Sequence, residues 1–192
     1  KKKLFLVNNF PEYKIFKKIG YKTLSLIQNP YENKYYISEC KKVNFSRKNY
    51  ILVYSSGYNK EIFNKNMRHH QYRVFFNAYR RIFKDRLIII KPHPGESAND
   101  IKKILIKINQ TKNVIVSEDN TLLLTINALG SISFLTGGIF CSIFNNIPTF
   151  NFYMWYSKYR YYLNKNKLGK CHMEKSNCRN ARNESDLYRE LS

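Results

Sequence analysis

Leu87-Ile88-Ile89-Ile90-Lys91-Pro92-His93-Pro94-Gly95-Glu96-Ser97 decides how this chain is read. Four apolar residues closed by proline and glycine have the length and composition of a buried strand. Pro92 and Pro94 then fix the backbone around His93 and keep the residue before each of them out of the helical region, so the histidine occupies an extended turn. Ser97, with Asp100 three residues on, starts a helix whose buried side is Ile101, Ile104, Leu105 and Ile108. A strand, a histidine turn and a helix start, in that order, mark the edge where open α/β sheets bind ligands. The same residues also suit plain strand punctuation, and the rest of the chain decides between the two.

Working outward, strand signals recur at 50–54, 87–90, 114–116, 131–135 and 149–152, with helical signals at 61–83, 97–108, 121–129 and 137–145 between them. This alternation predicts an α/β fold, a Rossmann-like doubly wound parallel sheet. In the long helix, Phe63, Met67, Val74, Ala78 and Ile82 share a face, while Lys65, Arg68, Arg73 and Arg80 are expected to be largely solvated. His69 and His70 read as ordinary helix residues. Upstream, strand signals at 3–7 and 23–27 flank a helical pattern at 10–19, a βαβ piece too small for a domain. The chain starts at Lys1 without methionine, so preceding sequence is expected to have been lost. The expected layout is a remnant of a first Rossmann domain at 1–30, an aperiodic interdomain linker at 31–48, a ligand-binding domain at 49–165 and a polar tail at 166–192 that packs back on the first domain.

Three strand-to-helix loops emerge at one edge of such a sheet: Ser55-Ser56-Gly57, His93-Pro94-Gly95-Glu96-Ser97 and Thr136-Gly137-Gly138. Small residues and free backbone N–H groups there suit an anion, and together the loops form a candidate phosphate cradle. Helix dipoles alone supply only about 0.3 to 1 kcal/mol, against roughly 4 to 8 kcal/mol for a millimolar to micromolar ligand. The remainder must come from stacking and charge-assisted hydrogen bonds, for which Lys91, His93 and the loop hydroxyls are nearest. His93 is the candidate catalytic residue, because an imidazole can donate a hydrogen bond or proton to a departing phosphate oxygen. No GxxxxGK[ST] or GxGxxG run occurs.

The composition, 43% hydrophobic over 192 residues, supports a globular core. No apolar run approaches the roughly 18 residues that span a bilayer. A cytoplasmic location is expected. The net charge of +21 favours an anionic partner, though an AT-rich coding sequence would also enrich Lys, Asn, Ile and Tyr together. Of the four cysteines, Cys171-His172 and Cys178 hint at metal ligation without a CxxC pair, so no metal is assigned.

The order strand, Lys91-Pro92-His93-Pro94, helix, strand, helix, strand with a small-residue loop, then Asn146-Ile147-Pro148-Thr149 before a last strand, resembles the C-terminal half of GT-B glycosyltransferases. The resemblance, over residues 3–162, is to those that build bacterial surface and capsular polysaccharides: HP-motif sialyl- and Kdo-transferases and CDP-glycerol glycerophosphotransferases. It implies that His93 and Pro94 contact the phosphate of a nucleotide-activated sugar donor, with Lys91 beside them, without a cofactor or a metal. Glu96, Ser97, Ser55, Ser56 and Gly57 complete that side of the donor site. In the family the later loop reads Ser-Ser; here Thr136-Gly137-Gly138 keeps one hydroxyl and otherwise backbone donors. The resemblance also implies a glycan or lipid-linked acceptor, an acceptor site and general base in the N-terminal domain, and a fragment inactive alone. Peripheral contact with the anionic inner face of the cell membrane would suit the charge.

Two other readings stay open. A UDP-GlcNAc 2-epimerase uses a similar architecture but needs further acids, for which Glu96, Glu118 and Asp119 are the candidates. A basic nucleic-acid-binding module would use the tail, where Tyr153, Trp155, Tyr156, Tyr159, Tyr161 and Tyr162 interleave with Lys158 and Arg160. Against it, no RNP or zinc-finger motif occurs. The same aromatic stretch also suits a closing helix packed across two domains.

Overall fold

Every apolar run read as a strand finds a parallel neighbour in the computed structural model of the chain, which describes residues 5–7, 24–26, 33–43, 45–57, 64–154, 157–158, 161 and 178–192. The chain divides into two compact units, Lys1–Val43 and Asn44–Ser192.

In the first unit β1 (Phe5–Val7) and β2 (Leu24–Leu26) pair in parallel, with Phe5 opposite Leu24. The helix expected at 10–19 lies outside the described residues. Helix α1 (Lys34–Lys42) occupies part of the stretch read as an aperiodic linker. Its ends explain it: the Asn33 side chain accepts the Tyr36 N–H at 3.1 Å, and Lys41 and Lys42 sit in the last turn, where cations suit the helix dipole. Cys40 is its one buried residue, so no apolar stripe announces it.

The second unit contains β3 (Tyr50–Tyr54), α2 (Lys65–Ile82), β4 (Ile88–Lys91), α3 (Ala98–Lys107), β5 (Val114–Val116), α4 (Thr121–Ile126), β6 (Ala128–Ser133), α5 (Ile139–Phe144), β7 (Thr149–Phe152), β8 (Arg179–Ala181) and α6 (Glu184–Leu191). Its six strands pair in parallel in the order β5-β4-β3-β6-β7-β8. Counted within the unit this is 3-2-1-4-5-6, the Rossmann order. Side chains of β3 alternate between the faces. Val53 enters a core with residues of α2, α3 and α6, whereas Tyr50, Leu52 and Tyr54 pack with Ile89 and Leu124 on the face of α4. Helices on both faces make the sheet doubly wound, as the alternation predicts. The larger core is aromatic: the Phe75 ring lies 5.1 Å from Phe76, 5.7 Å from Phe134 and 6.4 Å from Phe152.

Several elements depart from the sequence reading. Helix α2 begins at Lys65, because Asn64 is extended and its side chain accepts the Met67 N–H, so the expected start at 61 is displaced. Its buried stripe runs through Arg68, Gln71, Tyr72, Phe75, Phe76 and Tyr79, with Val74 and Ala78 on the flank; Phe63 lies outside the described residues. Two of the four cations read as solvated are not. Arg68 is buried, and Arg80 is half-buried and donates to the carbonyls of Lys84, Arg86 and Lys112 at 3.2, 3.0 and 2.8 Å. Helix α4 stops at Ile126, and residues 128 and 129, read as its end, open the strand: Ala128 and Gly130 pair with Tyr50 and Ile51, and Leu129 bulges out between them.

The end of the tail carries a strand and a helix of the second unit. β8 extends the sheet beyond β7, and α6 buries Leu187 against the core shared with α2. Tyr153 is also core, with its N–H on the Ala181 carbonyl at 3.0 Å. Trp155, Tyr156, Tyr159, Arg160, Tyr162, Cys171 and His172 lie outside the described residues.

Candidate functional site

Strand order places the site. β3 hands the chain to α2 and its neighbour β6 hands it to α5, and in open α/β sheets the ligand crevice lies beyond the C-terminal ends of two such strands. The loops after β3, β4 and β6 border it, and these are the three loops picked out in the sequence.

The loops after β3 and β4 form one assembly. Gly57 abuts His93 so closely that a Cβ there would lie 2.7 Å from the ring Nδ1, so only glycine leaves room for the imidazole. The Gly95 N–H donates to His93 Nδ1 at 3.1 Å. A backbone N–H can only donate, so Nδ1 is the acceptor and the ring proton of the neutral imidazole is on Nε2. Pro92 is buried, whereas Pro94 and Gly95 are exposed at the rim. Ser97 caps α3 by accepting the Asn99 N–H at 3.1 Å, which occupies its hydroxyl oxygen locally.

Glu96 is the buried centre of this assembly, its side chain 1% exposed. One carboxylate oxygen accepts the His93 N–H at 2.9 Å; the other accepts the Ser55 hydroxyl at 3.0 Å and ion-pairs with the Arg68 guanidinium. Ser55 in turn accepts the Tyr72 hydroxyl at 2.8 Å. Burial raises the Glu96 carboxyl above its ordinary value, and the Arg68 charge opposes that rise. Burial likewise pushes the Tyr72 hydroxyl up, reinforced by the Glu96 charge. Ser55 therefore faces the protein and not the crevice, and its N–H is also occupied, by the Lys91 carbonyl at 3.0 Å. Ser56 is buried beside it.

Lys91 points the other way. Its ammonium donates to the Glu118 carbonyl in the loop after β5 at 2.8 Å, and burial lowers its pKa. In the same loop Asp119 accepts the Ser117 hydroxyl at 2.6 Å.

The loop after β6 is built differently. Leu135 has φ 58°, a left-handed conformation that a bulky side chain adopts only under constraint. The constraints are local: the Thr136 N–H donates to Ser133 Oγ at 2.9 Å, and the Leu135 side chain is buried. Gly138 lies against the Tyr54 ring, where a Cβ would come within 2.7 Å of Cδ1. Gly137 has open space where its Cβ would be. Thr136 keeps its hydroxyl near the Gly138 N–H, at 3.4 Å.

The structure thus joins Ser55, Gly57, His93, Gly95 and Glu96 in one assembly, sets Thr136, Gly137 and Gly138 across β3 from it, and turns Lys91 toward β5. Sequence reading missed Arg68, Gln71 and Tyr72. Their signal is the i, i+3, i+4 spacing that continues through Phe75 and Tyr79, hidden because two of the three are polar. Gln71 is wholly buried and bridges the chain leaving β7, donating to the Phe152 carbonyl at 3.4 Å and accepting the Met154 N–H at 3.1 Å. Among the described residues no three His, Cys, Asp or Glu side chains group as metal ligands, and no helix is long and apolar enough to cross a membrane.

No protein-family model matches the chain, and no curated protein matches it. Among solved structures, it is similar to UDP-GlcNAc 2-epimerase from Methanocaldococcus jannaschii in complex with UDP-GlcNAc and UDP, with a TM-score of 0.57 at 14% identity over 94% of this chain and 50% of that one. A second structure of that epimerase gives 0.53 at 14% identity, over 92% of this chain and 50% of that one. The chain spans about half the length of these neighbours. At this identity the likeness is one of fold, a Rossmann-like domain of GT-B type.

Proposed function

We propose that this chain is the donor-binding half of an inverting GT-B glycosyltransferase that uses a nucleotide-activated sugar to build a surface polysaccharide. The observation that carries the reading is the His93 ring: with Nδ1 engaged by Gly95, Nε2–H is its donor, and His93 follows β4 at the edge where a sheet of this strand order binds its ligand. In the transfer, an acceptor oxygen attacks the anomeric carbon, the bond from that carbon to the phosphate oxygen breaks, and the electron pair leaves on the phosphate. Nε2–H hydrogen-bonds that oxygen as its charge develops, worth about a hundredfold or more in rate by comparison with oxyanion donors. The acceptor's proton passes to a general base, which the family resemblance assigns to the N-terminal domain. Ser56, Gly57, Pro94, Thr136, Gly137 and Gly138 line the phosphate cradle, with Ser55, Glu96 and Ser97 supporting it. The acceptor is a glycan or lipid-linked sugar, and the basic chain works in the cytoplasm against the inner face of the membrane.

A second reading is a UDP-sugar epimerase, the activity named for both solved structures of similar fold. Product analysis with UDP-GlcNAc on the intact protein separates the two: a 2-epimer without acceptor supports the second, an acceptor-dependent glycan the first.

The test of the site is ligand-observed NMR of the chain against CMP, CDP, UDP, GDP and ADP, with His93→Ala beside it. Binding of one nucleotide, weakened about tenfold or more in the variant, is the expected result. A folded chain that binds none of the five overturns the reading.

A further inference from the structure

We propose that Arg68 and Glu96 are positioning residues, a buried ion pair that sets the orientation of His93 and locks the loops after β3 and β4 together. The inference rests on the reading of His93 as the donor-contacting residue. Three observations carry it.

First, the carboxylate uses both oxygens on different elements: Oε2 takes the His93 N–H at 2.9 Å, and Oε1 takes the Ser55 hydroxyl at 3.0 Å and the guanidinium from α2. The Glu96 N–H also returns to the His93 carbonyl at 2.8 Å, so the turn that carries the imidazole is clasped from both sides. Second, the hydrogen bonds run in one direction. Tyr72 donates to Ser55, and Ser55 spends its one hydrogen on Glu96. Tyr72 lies one turn after Arg68 on the same face of α2, so one stretch of helix supports both loops. Third, the pair is nearly dry, with side chains 8% and 1% exposed. A buried ion pair is weak evidence for stability, since apolar replacements of similar size often do as well. Placement of the groups it holds is what an apolar pair would not supply. Arg68 reaches the turn that carries His93 through the Glu96 carboxylate.

The test uses the full chain with Arg68→Met, Arg68→Lys and Glu96→Gln, each checked for folding by circular dichroism and thermal melting. The readout that a stability role alone would not move is the His93 ring, observed by long-range 15N–1H correlation, which reports whether Nδ1 is the unprotonated acceptor. In the folded wild type His93 is expected as a single Nε2–H tautomer. In Arg68→Met and Glu96→Gln the tautomers mix, affinity for the nucleotide that binds wild type falls about tenfold, and Arg68→Lys recovers part of the loss. Folded variants with wild-type His93 signals and wild-type affinity overturn the proposal. Should Arg68→Met not fold, Glu96→Gln, which keeps the side chain's shape, decides it. Should the wild type bind none of the five nucleotides, the donor-site reading fails and the His93 signals still decide the positioning role.

Discussion

The two sides of the crevice are held by different physics. On the β3–β4 side an ion pair, a tyrosine, a serine and a carboxylate form a buried network that clasps His93 from below. On the β6 side, Leu135 to Gly138 is shaped by a backbone-to-serine hydrogen bond, a left-handed leucine and a glycine pressed on the Tyr54 ring. Charged networks fix direction, because their members have few geometries that satisfy every donor and acceptor. Small residues instead make room. On one wall the contacts fix direction; on the other Gly138 makes room for the Tyr54 ring.

The largest expected effect breaks the first wall at its tip. On the proposed donor-site reading, His93→Ala in the intact protein should lower kcat by about a hundredfold or more, as the loss of an oxyanion donor does. Steady-state kinetics with the preferred donor measures it, and an unchanged kcat would leave His93 as a residue that ends a strand.

Next come the glycines, one on each wall. Gly57→Ala puts a Cβ 2.7 Å from a half-exposed imidazole that can swing away, so nucleotide affinity should drop about tenfold with less than about 1 kcal/mol lost in stability. Gly138→Ala meets the Tyr54 ring at 2.7 Å, and that ring, 2% exposed, has nowhere to move. Its cost should be about 1 to 3 kcal/mol by denaturant unfolding. Gly137→Ala, with open space at its Cβ, should change stability by less than about 0.5 kcal/mol. Equal stability losses at 57 and 138 would erase the contrast between the walls.

Leu135→Gly sharpens the comparison from the other direction. Relief of the left-handed backbone returns about 1 kcal/mol, while loss of a buried leucine costs about 2 to 5 kcal/mol. A net loss of about 1 to 4 kcal/mol is expected in thermal or urea unfolding. A stabilised variant would mean that strain dominates that loop.

The smallest effect is a titration. Burial holds the Glu96 carboxyl above its ordinary 4.5, so the folded chain binds more protons than the unfolded one just above that pH. The contribution of Glu96 to stability therefore falls as pH rises from 4.5 through the folded value and is flat beyond it. Removing the opposing charge in Arg68→Met should move the carboxyl still higher, measured by 13C NMR of the side chain. No movement would mean that the guanidinium is too hydrated to matter.

Much of this architecture was legible in the residues. Ile88 to Ile90 could only be a strand in a buried sheet, Pro92 and Pro94 could only hold His93 in a turn, and Ser97 caps the helix it announced. Arg68 was misread for a plain reason: hydropathy assigns an arginine to water, and its carboxylate partner lies 28 positions away, in a loop that only folding brings beneath α2. Lys91 was misread the same way, since sequence neighbours suggested the crevice while the nearest acceptor was the Glu118 carbonyl of the adjoining loop. Strand β8 was opaque because a three-residue strand with one apolar side chain, Ala181, carries no periodic signal.

Sequence by itself determined the alternation of strands and helices, the edge at which loops gather and the turn that holds His93, because these follow from local period, proline geometry and capping. Tertiary structure alone decided which hydroxyls turn into the protein, which cations are buried and which nitrogen of His93 donates, because each depends on a partner that folding brings into place.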